Sequence, residues 1–204
     1  MLYEGRLLSL LTSPSTGTSL LLKVKHRDAT AWSQFAELYG PLIYAWSRRG
    51  GLSSEDAADA MQETLLAVAG GLGTFQHTGP GSFRAWLWAI TTNKVRDHYR
   101  RTSGKQAVGG TDAQQLLAKL SAELPDEHAV DEVQRDLASV IQRSLAQVQA
   151  EFEPQTWQAF ALTVLEAQDT AGVAAQLQTT AANVRQARSR ILRRLREQLG
   201  DFLS

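Results

Sequence analysis

The chain has 204 residues, 43% of them hydrophobic, with 21 basic residues against 21 acidic ones and no cysteine. That is enough apolar material for a packed core, so wholesale disorder is excluded. The missing thiols exclude disulfides, thiolate zinc sites and cysteine nucleophiles, and suit a cytoplasmic protein in a reducing compartment.

Residues 1–19 (MLYEGRLLSLLTSPSTGTS) hold a short apolar patch broken by Ser, Thr and Pro, with no small-residue cleavage site after it. They read as a loose N-terminal extension, not a signal peptide. No apolar run approaches the ~18 residues that cross a bilayer, so membrane insertion is not expected. The next periodic segment predicts a helix from Ala29 to Gly40, with Trp32, Phe35, Ala36 and Tyr39 on one face. Pro41 is expected to end or kink it, and a second helix to run from Leu42 to Arg49, closed by Gly50-Gly51. Ser53-Ser54-Glu55-Asp56 is a strong start signal, because a serine cap and first-turn acids suit the helix N-terminus. Apolar residues then recur at 57, 61, 65, 68 and 72. Thr74 to Ser82 (TFQHTGPGS) contains three breakers and reads as a loop. A long helix follows through Arg101, with Phe83, Trp86, Leu87 and Ile90 as its apolar stripe.

The character changes between Thr102 and His128, where SGK, VGG and LPDEH occur and only Leu116 to Leu124 is weakly amphipathic. Helical periodicity returns over Val133 to Ala150, Thr156 to Leu165, and two shorter segments meeting at QTTAAN. No convincing alternating strand pattern occurs. The expected class is all-α: two small helical domains joined by a flexible linker. The divisions fall at 1–19 (extension), 20–103 (first domain), 104–130 (acidic linker) and 131–204 (second domain).

Electrical neutrality conceals blocks of charge. Leu52 to Phe75 carries four acids and no base, Arg84 to Lys105 six bases and one acid, and Asp112 to Asp136 seven acids and two bases. Between Arg185 and Arg196 stand six arginines and no acid. Such blocks describe partners better than the total does. AGVAAQLQTTAANVRQARSRIL fits a helix-turn-helix: Ala171 to Leu177 forms the first helix, with Ala174 and Ala175 giving close approach, and Thr180 caps the second. Val184, Ala187, Ile191 and Leu195 are expected to face inward. Asn183, Arg185, Gln186, Arg188 and Ser189 then face outward, as side chains able to bond base edges and phosphates, and Arg190, Arg193, Arg194 and Arg196 extend the charge. A merely solvated helix is the rival reading. Such helices normally interleave Arg with Glu, and no acid occurs between Asp169 and Glu197.

DAADAMQETLL followed by FRAWLWAITTNKVRDHYRR resembles region 2 of bacterial RNA polymerase sigma factors of the extracytoplasmic-function (ECF) type. Asp56, Asp59, Gln62 and Glu63 match the first half of that pattern. Phe83, Arg84, Trp86, Leu87, Ile90, Asn93, Asp97, Arg100 and Arg101 match the second. AWSQFAELYGPLIYAWSRRGGLS resembles the start of region 2, and FEPQTWQAFALTVLEAQDTAGVAAQL with the arginine helix resembles region 4. The resemblance runs from about Leu20 to Leu203 in family order, interrupted at the linker.

It implies a transcription initiation factor rather than an enzyme. Its partners would be core RNA polymerase, through the clamp helices of the largest subunit and the flap, and promoter DNA, with an anti-sigma protein or other regulator as a further candidate. Asp56, Asp59, Gln62 and Glu63 would face the clamp helices. Trp88, Asn93, Lys94, Arg96, Tyr99, Arg100 and Arg101 would bind the −10 element and aid its melting, with Trp88 and Tyr99 as stacking candidates off the apolar stripe. Thr180, Asn183, Arg185, Gln186, Arg188, Ser189, Arg190 and Arg193 would read the −35 element. Family members often carry glycine in the helix-turn-helix turn, where this chain has Gln178, and a large aromatic where it has Ala69. The alternative is a free-standing helix-turn-helix regulator, which would need no acidic docking helix and no second basic-aromatic helix. The four histidines are scattered, GGLGT lacks the Lys-Ser/Thr of a phosphate loop, and no acid cluster has metal-ligand spacing, so neither a cofactor nor a metal is expected.

Overall fold

The computed structural model describes residues 2–11, 19–79, 81–103 and 128–203, and every regular element among them is helical. In chain order these are α1 (Leu2–Leu11), α2 (Leu20–Lys25), α3 (Ala29–Arg49), α4 (Ser54–Gly71), α5 (Ser82–Ser103), α6 (His128–Ala150) and α7 (Pro154–Phe160). A π turn (Ala161–Leu165) continues α7, and α8 (Thr170–Gln176) and α9 (Ala181–Leu203) complete the chain. Residues 104–127 of the expected linker, including Leu116 to Leu124, lie outside the described residues. No described helix is long and apolar enough to cross a membrane.

Side-chain caps set the helix starts. The Asp28 carboxylate accepts from Ala31 N at 2.9 Å, the Ser53 hydroxyl from Asp56 N at 3.1 Å, and the Thr180 hydroxyl from Asn183 N at 3.1 Å. Asp169 accepts from both Ala171 N and Gly172 N. A Cβ on Gly172 would stand 2.7 Å from Asp169 Oδ2, so a larger residue there would push the capping side chain aside.

Three features differ from the sequence expectations. Pro41 does not divide two helices; α3 runs unbroken from Ala29 to Arg49 with the proline inside it. An interior proline costs about 3 kcal/mol, but Leu38, Tyr39, Leu42 and Ile43 are all buried around it, and that packing holds the helix together. The N-terminal extension is not loose over Leu2–Leu11: it is helical, and Leu7 and Leu11 are 0% and 2% exposed. Ala174 is buried as expected, but Ala175 faces solvent, so only the former gives close approach to α9.

The two halves are docked. The main core draws Phe35, Leu38, Tyr39, Ile43, Phe83 and Leu87 from the first half and Val140, Val148, Phe160, Ile191, Leu195 and Phe202 from the second. Tyr39 is central: its ring centroid lies 5.6 Å from Phe83 and 5.3 Å from Phe202. Burial, and then the Asp201 carboxylate, push its phenol far above the usual range, so it stays a proton donor, with Gln198 O at 3.5 Å. A second, smaller core of Ala159, Leu162, Val173, Ala174, Val184 and Ala187 belongs to the helix-turn-helix alone. Thus α9 serves two cores, one with its first turns and one with its last.

Polar bonds reinforce the junction. Asp136 of α6 accepts from Trp46 Nε1 at 2.7 Å and pairs with Arg49 at 2.6 Å. This last acid of the segment from Asp112 therefore meets α3 and not the arginine helix. Arg143 Nε donates to Leu38 O at 2.9 Å, in the turn preceding Pro41. Burial lowers the pKa of Arg143 and Arg84, and Asp136 opposes that shift in both.

Candidate polymerase and nucleic-acid surfaces

On α4 the four residues expected to meet polymerase divide between two faces. Asp59 and Gln62 are exposed and aligned with Leu66, three and seven residues along the helix from Asp59. Leu66 is 73% exposed; it and Leu22 are the exposed large hydrophobics among the described residues. Pattern reading missed Leu66, although its i+4 spacing from Gln62 was visible. Asp56 and Glu63 turn toward α5. Asp56 accepts from the Ser53 hydroxyl at 2.6 Å and lies 3.8 Å from His98 Nδ1. Glu63 bonds Arg101 at 3.0 Å and lies 3.8 Å from Lys94.

Those pairings order the basic face of α5. Lys94 and Arg101 share Glu63 as counterion, Arg100 pairs with Asp97, and Arg96 reaches Asn93 Oδ1 at 3.4 Å. One carboxylate between two cations leaves the face net positive while limiting the rotamers of both side chains. The aromatic candidates are anchored more firmly than their position off the stripe suggested. Trp88 stands edge-on to Trp46 at 5.0 Å, and the Tyr99 hydroxyl donates to Gly50 O at 2.9 Å. Tyr99 packs beside Leu52, Ala57, Ala60 and Val95, and burial followed by the nearby Asp56 charge raises its pKa. Each ring keeps part of its surface exposed.

In the C-terminal half, α8, the turn and α9 form a helix-turn-helix. The turn holds Gln178 at φ 51°, a left-handed conformation that suits glycine better, so the geometry survives without its usual residue. Gln155 Nε2 pins the turn by donating to Leu177 O at 3.1 Å. Val184, Ala187, Ile191 and Leu195 are buried, as their spacing predicts. Asn183, Arg185, Gln186, Ser189 and Arg190 are exposed and Arg188 is half-exposed. Thr179, Asn183, Gln186 and Arg190 line a shallow groove against α7. Asn183 Nδ2 also donates to Thr179 Oγ1, and Thr180 is occupied as the cap.

The six arginines part company here. Arg185, Arg188 and Arg193 have no acidic partner among the described residues. Arg190 lies over the Phe152 ring, 5.6 Å from its centroid. Arg194 makes a two-point ion pair with Glu151, at 2.6 and 2.7 Å, and Arg196 bonds Leu10 O. Counter-charge for Arg194 therefore comes from Glu151, just past the end of α6, and from Glu197 on α9 itself, 4.0 Å away. Arg194 and Arg196 serve packing, not an open cationic face.

Residues 35–104 match the family model described as Sigma-70 region 2. Over 126 residues the chain is 33% identical to the ECF RNA polymerase sigma factor SigF of Caulobacter vibrioides, a span of 61% of this chain and 68% of that protein. The chain belongs to the ECF sigma factors of bacterial RNA polymerase. The sigma factor is also 26% identical over 133 residues to RNA polymerase sigma factor NccH of Alcaligenes xylosoxydans xylosoxydans, covering 65% of this chain and 69% of that one. With the ECF RNA polymerase sigma factor SigE of Mycolicibacterium smegmatis it shares 31% identity over 87 residues, 42% of this chain and 33% of the relative. The region 2 match takes in most of α3 and all of α4 and α5, the helices that carry the acidic and basic-aromatic faces. The free-standing regulator reading is accordingly not favoured.

Proposed function

We propose that this sigma factor, which directs RNA polymerase to promoters, divides that task among three surfaces. Asp59, Gln62 and Leu66 form the polymerase-docking face of α4, with an acid at one end, an amide at the centre and an apolar side chain at the other end. Asp56 and Glu63 support that face from its edge. Lys94, Arg96, Arg100 and Arg101 hold the phosphates of the −10 element, with Asn93 beside them. Trp88 and Tyr99 offer their exposed ring surfaces to unstacked bases. Both rings are already fixed along one edge, so they lose little rotamer freedom on stacking, which is worth ~1–3 kcal/mol per base. Unstacking a base costs a few kcal/mol, so two such platforms are of the right size to hold a short stretch of −10 DNA open. Arg185, Gln186, Arg188 and Ser189 read the −35 element, Arg190 and Arg193 add phosphate contacts, and Thr180 and Asn183 set the start of the reading helix.

The observation that carries this reading is the arrangement of α4 and α5. An exposed acidic and apolar face backs onto a row of cations, and Glu63 ties the two together. Core-polymerase pull-down tests it. Gln62→Ala and Leu66→Ala should each weaken capture by about 1–2 kcal/mol, roughly 5- to 30-fold, while binding to a −35 duplex stays unchanged. Equal capture by wild type and both variants would remove α4 as the docking face.

A further inference from the structure

The N-terminal helix α1 has no counterpart in the region 2 or region 4 patterns, and its contacts are unusual. It packs on α9 and on the π turn, both in the C-terminal half, although residues 12–18 tether it to the other half. Leu7 and Leu11 enter the main core. Arg196 then closes the end of α1: Nε and Nη2 donate to Leu10 O at 3.1 and 2.9 Å. A cation placed among the last carbonyls of a helix suits both their unfilled bonds and the helix dipole. Meanwhile α2 packs on α3 and α9 together. The N-terminal segment thus reaches across the junction and grips the C-terminal half.

The docked helices, as the described residues form them, are too small a body for both promoter elements. A compact body of the size of the 170 described residues has a radius of gyration of about 15.5 Å, which for a sphere means a diameter of about 40 Å. Elements named for positions −35 and −10 lie about 25 base pairs apart, roughly 85 Å of duplex at 3.4 Å per pair. Arg185 and Gln186 on one half and Lys94 and Arg101 on the other cannot reach both sites while Tyr39 and Phe202 remain in contact. Opening is required before both can bind. The duplex-reading residues stay exposed in the docked form, so closure limits reach rather than hiding that surface.

We propose that α1 is an intramolecular latch: in the free sigma factor it holds the C-terminal half closed, with Arg196 on Leu10 O as the catch, and core polymerase engages a chain whose latch has been released. The span argument rests on the promoter reading above; the latch itself rests on the contacts of α1.

Because the chain lacks cysteine, a dye pair can be introduced at Glu55→Cys and Gln176→Cys, both exposed. Energy transfer in the free full chain should be high and should fall when core polymerase is added. Arg196→Met, which keeps the apolar stem, and deletion of residues 1–18 should each lower transfer in the free chain, with helical circular dichroism unchanged in the first and reduced only by the ten residues of α1 in the second. Both should also associate with core polymerase about 3- to 10-fold faster. Unchanged transfer and association rate in both variants would overturn the latch and leave α1 as ordinary packing. Loss of helicity in both, beyond that of α1 itself in the deletion, would overturn it too, since α1 would then belong to an inseparable core. Failure of the intact chain to bind polymerase would count against the sigma reading instead, and the free-chain transfer would still report on the latch.

Discussion

Phe202→Ala should destabilise the docked chain by about 3–5 kcal/mol, the range for removing a buried phenyl ring. Phe202 is 2% exposed and comes from the last turn of α9, while its ring partner Tyr39 and that residue's neighbour Phe83 come from α3 and α5. The loss therefore falls on the junction. Total stabilities of 5–15 kcal/mol make this a large fraction. The helix-turn-helix keeps its own small core, and the first half keeps the Phe35, Tyr39 and Phe83 cluster. Unfolding in denaturant should change from one transition to two, with Trp157 reporting the C-terminal half and Trp32, Trp46, Trp86 and Trp88 the N-terminal half. An unchanged midpoint, or one shared transition lowered as a whole, would contradict a separable junction.

Arg185→Ala and Arg188→Ala should each reduce use of the −35 element by about 1–3 kcal/mol, the discrimination carried by a good arginine–base contact. That is roughly 5- to 150-fold, and selectivity between −35 variants should relax with it. The control is built into the same helix. Arg193→Ala should weaken binding evenly across sequences and reduce the slope of affinity against salt, as loss of a phosphate contact does. Arg194→Ala should change neither selectivity nor the salt slope, because its guanidinium is engaged with Glu151. Its effect should appear as lower stability. Unaltered promoter selectivity in the Arg185 and Arg188 variants would reject base reading by this face.

Local signals in the sequence were sufficient where the structure is local. Ser53 and Thr180 cap their helices as their side chains suggested, and the four residues expected to face inward on α9 are buried. The acids of α4 and the cations of α5 were visible as blocks. Contacts between distant segments were not legible. Arg194 and Arg196 looked like part of one cationic run because their partners, Glu151 and Leu10, lie 43 and 186 residues away. Tyr99 and Trp88 read from the sequence as lying off the apolar stripe of α5, yet Trp88 packs against the main core and Tyr99 against a smaller one, because α3 supplies a second set of neighbours that periodicity cannot show. Pro41 failed as a stop signal for the same reason: burial on both sides outweighed the local cost. The α1 residues Leu7 and Leu11 stand four apart on one helix face, a pattern too short to interpret until α9 supplies the other half of the contact. Docking of the two halves belongs to this class as well, since it depends on side chains meeting across more than 100 residues of chain.

The central claim is that this chain directs polymerase to promoters through separate docking and DNA-reading faces. Run-off transcription with bacterial core RNA polymerase tests it most directly, using a library of promoter fragments with the wild-type chain, Gln62→Ala and Arg185→Ala. The account predicts promoter-specific transcripts that require the chain, reduced on all promoters by Gln62→Ala and altered in promoter choice by Arg185→Ala. Tight operator binding by the chain alone, with no transcript initiated by the core enzyme in its presence, would contradict it.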